Sequence, residues 1–215
     1  KAIELNPNYL KPYSNLASIY IGEGDFGEAE LLLRKSIEKN PNDINTLVNL
    51  ACVLKDLGKI KEAEKFLRNA LEINPTYEKV LTNLGAVLNE LEKTDEGERY
   101  LRKALNINPA SLMALNNLGN ILSKKNNYNE AELCYRKAID IKSDFSLAYN
   151  NLATLLTRIG KLSEAEEFTE KAILYNPKFE LAYVNLGSIK IDLDKLTEAE
   201  ELFLRAIEIN KNYSD

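Results

Sequence analysis

The chain has 215 residues and carries 33 acidic against 28 basic side chains, a formal net charge of −5. This balance argues against nucleic acid as a partner, since domains that bind it usually present a strongly basic surface. The sequence contains no histidine, which excludes histidine general-base catalysis, serine–histidine–aspartate triads and histidine metal ligation. Two cysteines are too few for a disulfide framework or a cysteine-rich zinc site, and they suit a reducing compartment. We therefore expect a cytoplasmic protein without cofactor or metal. The apolar runs are too short for membrane insertion.

One motif, Asn-Leu followed by Ala or Gly, recurs every 34 residues along the chain. Its asparagines, which we place at position 6 of each repeat, are Asn15, Asn49, Asn83, Asn117, Asn151 and Asn185. In chain order the predicted elements are the end of a preceding repeat over 1–9, six repeats over 10–43, 44–77, 78–111, 112–145, 146–179 and 180–213, and a tail over 214–215. We expect one continuous domain that is part of a longer array, because stacked repeats bury a shared core.

Each repeat contains two predicted helices. Small or apolar residues at positions 4, 7, 8 and 11, and again at 20, 24 and 27, follow the helical period. Position 15 lies between the helices and usually holds a residue that tolerates positive φ; Glu92 is the exception, and we expect strain or a different turn there. We predict capping boxes at the start of two second helices, Ser163 with Glu166 and Thr197 with Glu200. Asn-Pro ends most repeats, because proline disfavours helical conformation in the preceding residue.

This pattern resembles the tetratricopeptide repeat family, and the resemblance covers essentially the whole chain. It implies an all-α fold, a right-handed α-solenoid in which helix pairs stack into a superhelix with a concave groove. In that family positions 2, 5, 6, 9, 12 and 13 of the first helix face the groove.

The charged and cysteine residues have structural explanations. Glutamate and arginine four residues apart recur on the second helix and predict surface ion pairs. They are Glu30 with Arg34, Glu64 with Arg68, Glu98 with Arg102 and Glu132 with Arg136. Cys52 and Cys134 lie in different repeats and are interpreted as small apolar side chains. We predict no catalytic residue, so this fragment is not an enzyme, and catalysis by the full-length protein is left open.

Asparagine at position 6 is informative because it is a mediocre residue for a helix interior. Its carboxamide offers a donor and an acceptor that match the C=O and N–H of a peptide bond. The arrangement resembles the asparagine ladder in the repeat domain of O-linked N-acetylglucosamine transferases, which implies that these six side chains hold an extended protein segment by its backbone. A purely structural role shared by many repeats of this family is the alternative, and the sequence does not decide between them.

Further residues at groove positions extend this predicted peptide-binding site. The amides are Asn116, Asn120 and Asn150, and the cations are Lys79, Lys124 and Arg158. Acidic residues at neighbouring positions offset these cations, so no field of a single sign is expected to steer a ligand. The family's clamp for the acidic tails of chaperones is disfavoured, because of the five positions it needs in repeats 1 to 3 only Asn49 and Lys79 fit.

The predicted function is a non-catalytic protein–protein interaction scaffold whose groove binds an extended peptide or protein segment. The alternatives are a substrate-recruiting arm of a larger enzyme, such as a glycosyltransferase, and a self-assembling structural array. Because the terminal repeats of such an array expose apolar faces, we also predict end-to-end self-association.

Overall fold

The computed structural model describes residues 11–211, and the predicted repeat end over 1–9 and the tail over 214–215 lie outside them. This part of the chain contains twelve α-helices and no strand, which confirms the all-α class. The helices are α1 Lys11–Glu23, α2 Phe26–Lys39, α3 Ile44–Asp56, α4 Ile60–Ile73, α5 Glu78–Glu90, α6 Thr94–Ile107, α7 Leu112–Lys124, α8 Tyr128–Ile141, α9 Ser146–Arg158, α10 Leu162–Tyr175, α11 Glu180–Asp192 and α12 Leu196–Lys211.

The helices fall into two compact units, and the division lies between Pro109 and Ala110. The N-terminal unit contains α1–α6 and the C-terminal unit α7–α12. Within each unit the first helix of a repeat packs on the second helix of the same repeat, and that second helix packs on the first helix of the next. The first helices of adjacent repeats also touch. This stacking of helix pairs is typical of an α-solenoid.

All six turns between the helices of a repeat have the same backbone conformation. Position 15 has a positive φ in every case, with φ values of 81° at Gly24, 74° at Gly58, 59° at Glu92, 60° at Asn126, 80° at Gly160 and 62° at Asp194. In repeat 3 the next residue, Lys93, donates its backbone N–H to the carbonyl of Leu88 at 2.9 Å. This six-to-one bond is the Schellman motif that closes a helix C-terminus. Glu92 therefore adopts the common turn with a side chain for which left-handed backbone is unfavourable.

The second helices begin earlier than the predicted capping boxes require. Helix α10 starts at Leu162 with Lys161 as its N-cap, so Ser163 already lies inside the helix. Thr197 lies inside α12 in the same way. The capping-box prediction is therefore wrong, because the Schellman turn fixes where the chain re-enters a helix. In repeat 1 the same cap position holds Asp25, whose carboxylate accepts the N–H of Glu28 at 3.1 Å.

Small residues at position 8 allow the two helices of a repeat to approach closely. A Cβ atom added to Gly119 would lie 2.5 Å from Cε1 of Tyr135, a distance that real Cβ contacts essentially never show. Gly85 has the same relation to Leu101, and Gly187 to Phe203. At Gly119 and Gly187 an aromatic ring at position 24 fills the space that a Cβ atom would need, whereas Leu101 beside Gly85 is the same residue type that repeats 1 and 2 combine with alanine at position 8.

The predicted ion pairs on the second helices form, and they also connect successive repeats. In the N-terminal unit Arg34 bonds to Glu30 at 2.8 Å and to Glu62 of the next repeat at 2.7 Å. Lys59 of that repeat returns to Glu30 at 2.7 Å. Burial alone would raise the pKa of Glu30, but the hydrogen bonds from Lys59 and Arg34 outweigh it and lower the pKa.

Repeat 6 departs from the pattern with a buried lysine. Lys190 occupies position 11, which is apolar in the other five repeats, and is only 7% exposed. Its Nζ bonds to Glu166 of repeat 5 at 2.6 Å and to Glu198 at 2.5 Å. Two carboxylates thus compensate a charge that would otherwise be costly in the core.

Candidate functional site

Two adjoining pockets open on the first-helix surface of the C-terminal unit. The first, between repeats 4 and 5, has a volume of about 140 Å³ and is lined by Asn120, Ser123, Lys124, Tyr135, Asn151, Thr154, Leu155 and Arg158. The second, between repeats 5 and 6, has a volume of about 320 Å³ and is lined by Thr154, Thr157, Arg158, Asn185, Ser188 and Ile189. Thr154 and Arg158 belong to both, so the two pockets form one groove, here called the C-terminal groove.

The six asparagines at position 6 lie on the first helices, and their side chains keep access to solvent. Asn15 is exposed. The other five are half-buried, namely Asn49, Asn83, Asn117, Asn151 and Asn185. Asn151 lines the first pocket of the C-terminal groove and Asn185 the second.

In the C-terminal unit these asparagines also bond to the preceding repeat. Asn151 Nδ2 donates to Asn116 Oδ1 at 2.9 Å, and Asn185 Nδ2 donates to Asn150 Oδ1 at 2.8 Å. Each bond uses one hydrogen of the donating amide. Asn185 Nδ2 also donates to Thr154 Oγ1 at 3.3 Å, whereas the second hydrogen of Asn151 and the Oδ1 acceptors of both amides are not needed for these bonds.

The accepting asparagines at position 5 are buried. Asn116 and Asn150 are each 1% exposed, although the sequence placed them among the groove-lining amides. Position 5 points towards the next repeat. The residues at this position in repeats 2 and 3, Val48 and Thr82, are buried as well. Asn116 and Asn150 therefore have no surface for a peptide, and they orient the position-6 amides of the following repeat.

The N-terminal unit arranges its asparagines differently, because position 5 of repeat 2 is Val48 and provides no amide. Asn83 instead donates Nδ2 to the carbonyl of Lys79 in its own helix at 2.8 Å, and its Oδ1 accepts the Cys52 thiol at 3.4 Å. Burial raises the pKa of the Cys52 thiol, so the thiolate required of a nucleophile is disfavoured.

The three predicted cations are exposed, and they belong to different units. Lys79 lies in the N-terminal unit, while Lys124 and Arg158 lie together in the wall of the first pocket. Arg158 Nη1 donates to the carbonyl of Ser123, near the end of helix α7, at 3.3 Å.

Tyr135 is a pocket residue that the sequence did not reveal. It occupies position 24, which was assigned to the core, and it is 2% exposed. Its hydroxyl reaches the pocket and donates to Asn120 Oδ1 at 2.7 Å. The signal was the change from leucine in the first three repeats to tyrosine in the fourth, because a buried tyrosine hydroxyl needs a hydrogen-bond partner.

The described part of the chain contains neither a metal-binding cluster nor a membrane-spanning helix. Across residues 11–211, no three metal-ligating side chains come together in a way that would hold an ion. Among the twelve helices, none combines the length and the apolar character needed to cross a membrane.

The sequence matches family models described as tetratricopeptide repeat over most of its length. The matched residues are 10–43, 44–77, 77–144, 134–167 and 181–213. A comparison with curated proteins finds no match.

Solved structures of low sequence identity share the fold. PilW, a type IV pilus biogenesis factor, has a TM-score of 0.77 at 21% identity over 90% of each chain. A chain of the APC/C hetero-tetramer Cut9–Hcn1 has a TM-score of 0.84 at 14% identity, over 98% of this chain and 42% of that one. YrrB, a tetratricopeptide repeat protein with an unusual peptide-binding site, has a TM-score of 0.53 at 23% identity, over 82% of this chain and 91% of that one. The repeated sequence motif, the helix pairs and the family matches agree: the chain belongs to the tetratricopeptide repeat family.

Proposed function

We propose that this chain is a non-catalytic binding module and that its C-terminal groove holds an extended peptide segment. The observation that supports this most directly is the continuity of the two pockets through Thr154 and Arg158, with amide and hydroxyl groups along their walls. A groove of this kind suits an extended chain, whose backbone offers a donor and an acceptor at every residue.

Asn151 and Asn185 are the proposed backbone contacts within this groove. Asn151 uses one Nδ2 hydrogen for an inter-repeat bond and retains an acceptor and a second donor, the pair that matches a peptide unit. Asn185 Nδ2 donates to both Asn150 Oδ1 and Thr154 Oγ1, so this amide offers its Oδ1 acceptor to a peptide N–H. The proposal thus combines the two roles that the sequence left open. One side of the amide holds adjacent repeats together, and the other is offered to the ligand.

The proposal is tested by measuring how a peptide library binds to a variant whose groove is sterically blocked. Thr154→Tyr places an aromatic ring where the two pockets meet, and the exposed Thr197 on α12 supplies the matched control Thr197→Tyr. We expect Thr154→Tyr to weaken peptide binding by at least about tenfold, or about 1.4 kcal/mol, while Thr197→Tyr binds like the wild type. Equal affinity of the wild type and Thr154→Tyr, with helical circular dichroism unchanged, would refute the groove assignment.

Recognition of the peptide backbone is tested separately, by modifying the peptide instead of the protein. Peptides selected by the wild type should lose affinity when backbone N–H groups are methylated one at a time, since methylation removes a donor and keeps the side chain. Retained affinity after methylation at every position would rule out contacts between these asparagines and the peptide N–H groups.

A second candidate function, self-association, rests on one specific observation. Repeat 6 carries an apolar pocket of about 440 Å³ lined by Glu180, Val184, Phe203, Ala206, Ile207 and Asn210. Leu204 and Ile207 on the same helix are more than half exposed. We propose that this face associates with a second copy of the chain. Light scattering should show concentration-dependent dimers that Ile207→Glu abolishes, and a monomer at all concentrations would reject this proposal.

A further inference from the structure

The first helices of the C-terminal unit carry a row of apolar side chains at position 2, here called the position-2 row. It contains Met113, Leu147 and Leu181, one from each of repeats 4 to 6. In repeats 1 to 3 the same position holds lysine or asparagine. Met113 is 48% exposed and Leu181 is 51% exposed, while Leu147 is half-buried. The change from polar to apolar thus occurs in the unit that forms the groove, and it leaves about half of two large apolar side chains in water.

The position-2 row continues the C-terminal groove. Each member lies four residues, about one helical turn, before the position-6 asparagine of its own helix, so the two side chains share a face. Leu147 precedes Asn151 in this way, and Leu181 precedes Asn185. Both asparagines line the groove. A segment whose backbone contacts these amides therefore brings its side chains over the row.

The distance between members of the row determines which ligand conformation fits. The first helices of adjacent repeats touch, and the axes of packed helices lie about 8–10 Å apart, so equivalent side chains recur at about that distance. A β-strand rises about 3.3 Å per residue and alternates its side chains between two faces, so side chains on one face recur at about 6.6 or 13 Å. A polyproline II helix rises about 3.1 Å per residue with about 3 residues per turn, which places every third side chain on one face at about 9.3 Å. Of these two extended conformations, polyproline II matches the row.

The same conformation suits the amides of the groove. A polyproline II helix has no internal hydrogen bonds, so its N–H and C=O groups are available to a partner. Asn151 retains an Oδ1 acceptor and a second Nδ2 hydrogen, and Asn185 retains its Oδ1 acceptor. One ligand conformation therefore satisfies both the amides and the position-2 row.

We infer that the position-2 row selects a polyproline II segment that carries an apolar side chain at every third residue. The inference rests on the proposed function, since it names the conformation and the side-chain pattern of the segment held in that groove. Met113, Leu147 and Leu181 each cover one apolar side chain of the ligand. The driving force is the removal of apolar surface from water on both partners.

Nuclear magnetic resonance titration of the nitrogen-15-labelled chain with two isomeric peptides tests the inference. The leucines are three residues apart in acetyl-Leu-Pro-Ser-Leu-Pro-Ser-Leu-Pro-Ser-amide. They are two residues apart in acetyl-Pro-Ser-Leu-Ser-Leu-Pro-Leu-Ser-Pro-amide, which has the same composition. We expect the first peptide to shift the backbone amide signals around Leu147, Asn151 and Leu181, at concentrations at least about tenfold below those the second peptide needs.

A double variant, Met113→Ser with Leu181→Ser, should abolish the preference for the first peptide. Its matched control is Leu133→Ser with Leu174→Ser, which removes two exposed leucines from second helices of the same unit and should behave like the wild type. Equal binding of the two isomers to the wild type, or a preference that survives Met113→Ser with Leu181→Ser, would overturn the inference.

The outcomes separate this inference from the proposed function. If the peptide library binds and Thr154→Tyr blocks it while the two isomers bind equally, only the role of the position-2 row is rejected. If neither the library nor the two isomers bind, the groove itself is rejected as well. Loss of concentration-dependent dimers in the double variant, with the peptide preference unchanged, would assign the row to contacts between copies of the chain and overturn the inference.

Discussion

The turn at Glu92 provides the sharpest test of how the repeats are built. Its φ of 59° lies in the left-handed region, and it closes the same Schellman turn that glycine closes in three other repeats. Left-handed backbone costs a residue with a Cβ about 1–2 kcal/mol. Glycine removes that cost. It also destabilises the folded state by about 0.4–1 kcal/mol, because it increases the entropy of the unfolded chain. Glu92→Gly should therefore stabilise the protein by about 1 kcal/mol.

The reverse change in repeat 2 is the matched control. A Cβ atom on Gly58 would meet nothing within 4 Å, so Gly58→Ala tests backbone conformation without a steric collision. Gly58→Ala should lower the free energy of unfolding by about as much as Glu92→Gly raises it. Glu92→Asn should lie between wild type and Glu92→Gly, because asparagine tolerates this region better than glutamate and already occupies the equivalent turn at Asn126.

Urea denaturation followed by circular dichroism measures these differences directly. A gain of about 1 kcal/mol corresponds to a rise in Tm of roughly 2–4 °C for a chain of this size, which thermal scans resolve. If Glu92→Gly is neutral or destabilising while Gly58→Ala costs the expected amount, the strain assigned to Glu92 does not exist. If both variants are neutral, the turn conformation itself is wrong.

Three further predictions concern the C-terminal unit. Gly119→Ala should lower the free energy of unfolding in urea by about 1–3 kcal/mol, because the new Cβ collides with Tyr135 and overpacking a core costs that amount. Adding Tyr135→Leu recreates the alanine–leucine combination of repeats 1 and 2 and should restore most of the lost stability. Lys190→Ala should cost about 2–5 kcal/mol because it leaves a cavity at a buried position. Lys190→Leu refills that position and should cost less, since Glu166 keeps its ion pair with Lys195 and the Glu198 side chain is more than half exposed; equal losses would contradict this account. The hydrogen bond from Lys190 lowers the pKa of Glu166 below its ordinary 4.5, although burial opposes this shift. The stabilisation from Glu166 is therefore present above pH 4.5 and is lost as the pH falls through the lowered value. Glu166→Gln should flatten the decline in stability below pH 4.5, and an unchanged decline in urea unfolding would refute this.

The amide bonds between repeats change how the asparagine pattern is interpreted. A residue that serves only a ligand need not contact its neighbours, yet Asn151 and Asn185 bond to buried amides of the preceding repeat. Mutating them would combine loss of ligand contact with an unsatisfied buried acceptor, which costs about 1–3 kcal/mol. For this reason the steric block at Thr154 separates binding from stability better than alanine substitution of the asparagines does.

The repeat sequence alone predicted the helix pairs, the turns between them and the all-α class, because these depend on local periodicity. The apolar residues at positions 4, 7, 8 and 11 lie on one face of one helix. The residue type at position 15 indicates whether positive φ is favourable there. At Glu92 strain or a different turn was expected, and the structure shows the same turn as in the other repeats. The starts of the second helices were misjudged, since serine and threonine favour N-caps in general, whereas here the turn geometry sets the boundary.

What only the tertiary structure decided is which side chains of neighbouring repeats meet. Position 5 carries polar residues that looked suited to a ligand, and stacking buries Asn116 and Asn150 against the next repeat. Tyr135 counted as core by its spacing, although its length takes the hydroxyl through to Asn120 in the pocket. Lys190 interrupts an apolar position and is accommodated because Glu166 comes from the preceding repeat. Such contacts join residues about 15 to 35 positions apart, beyond the range over which helical spacing carries information, so they arise only once the repeats are stacked.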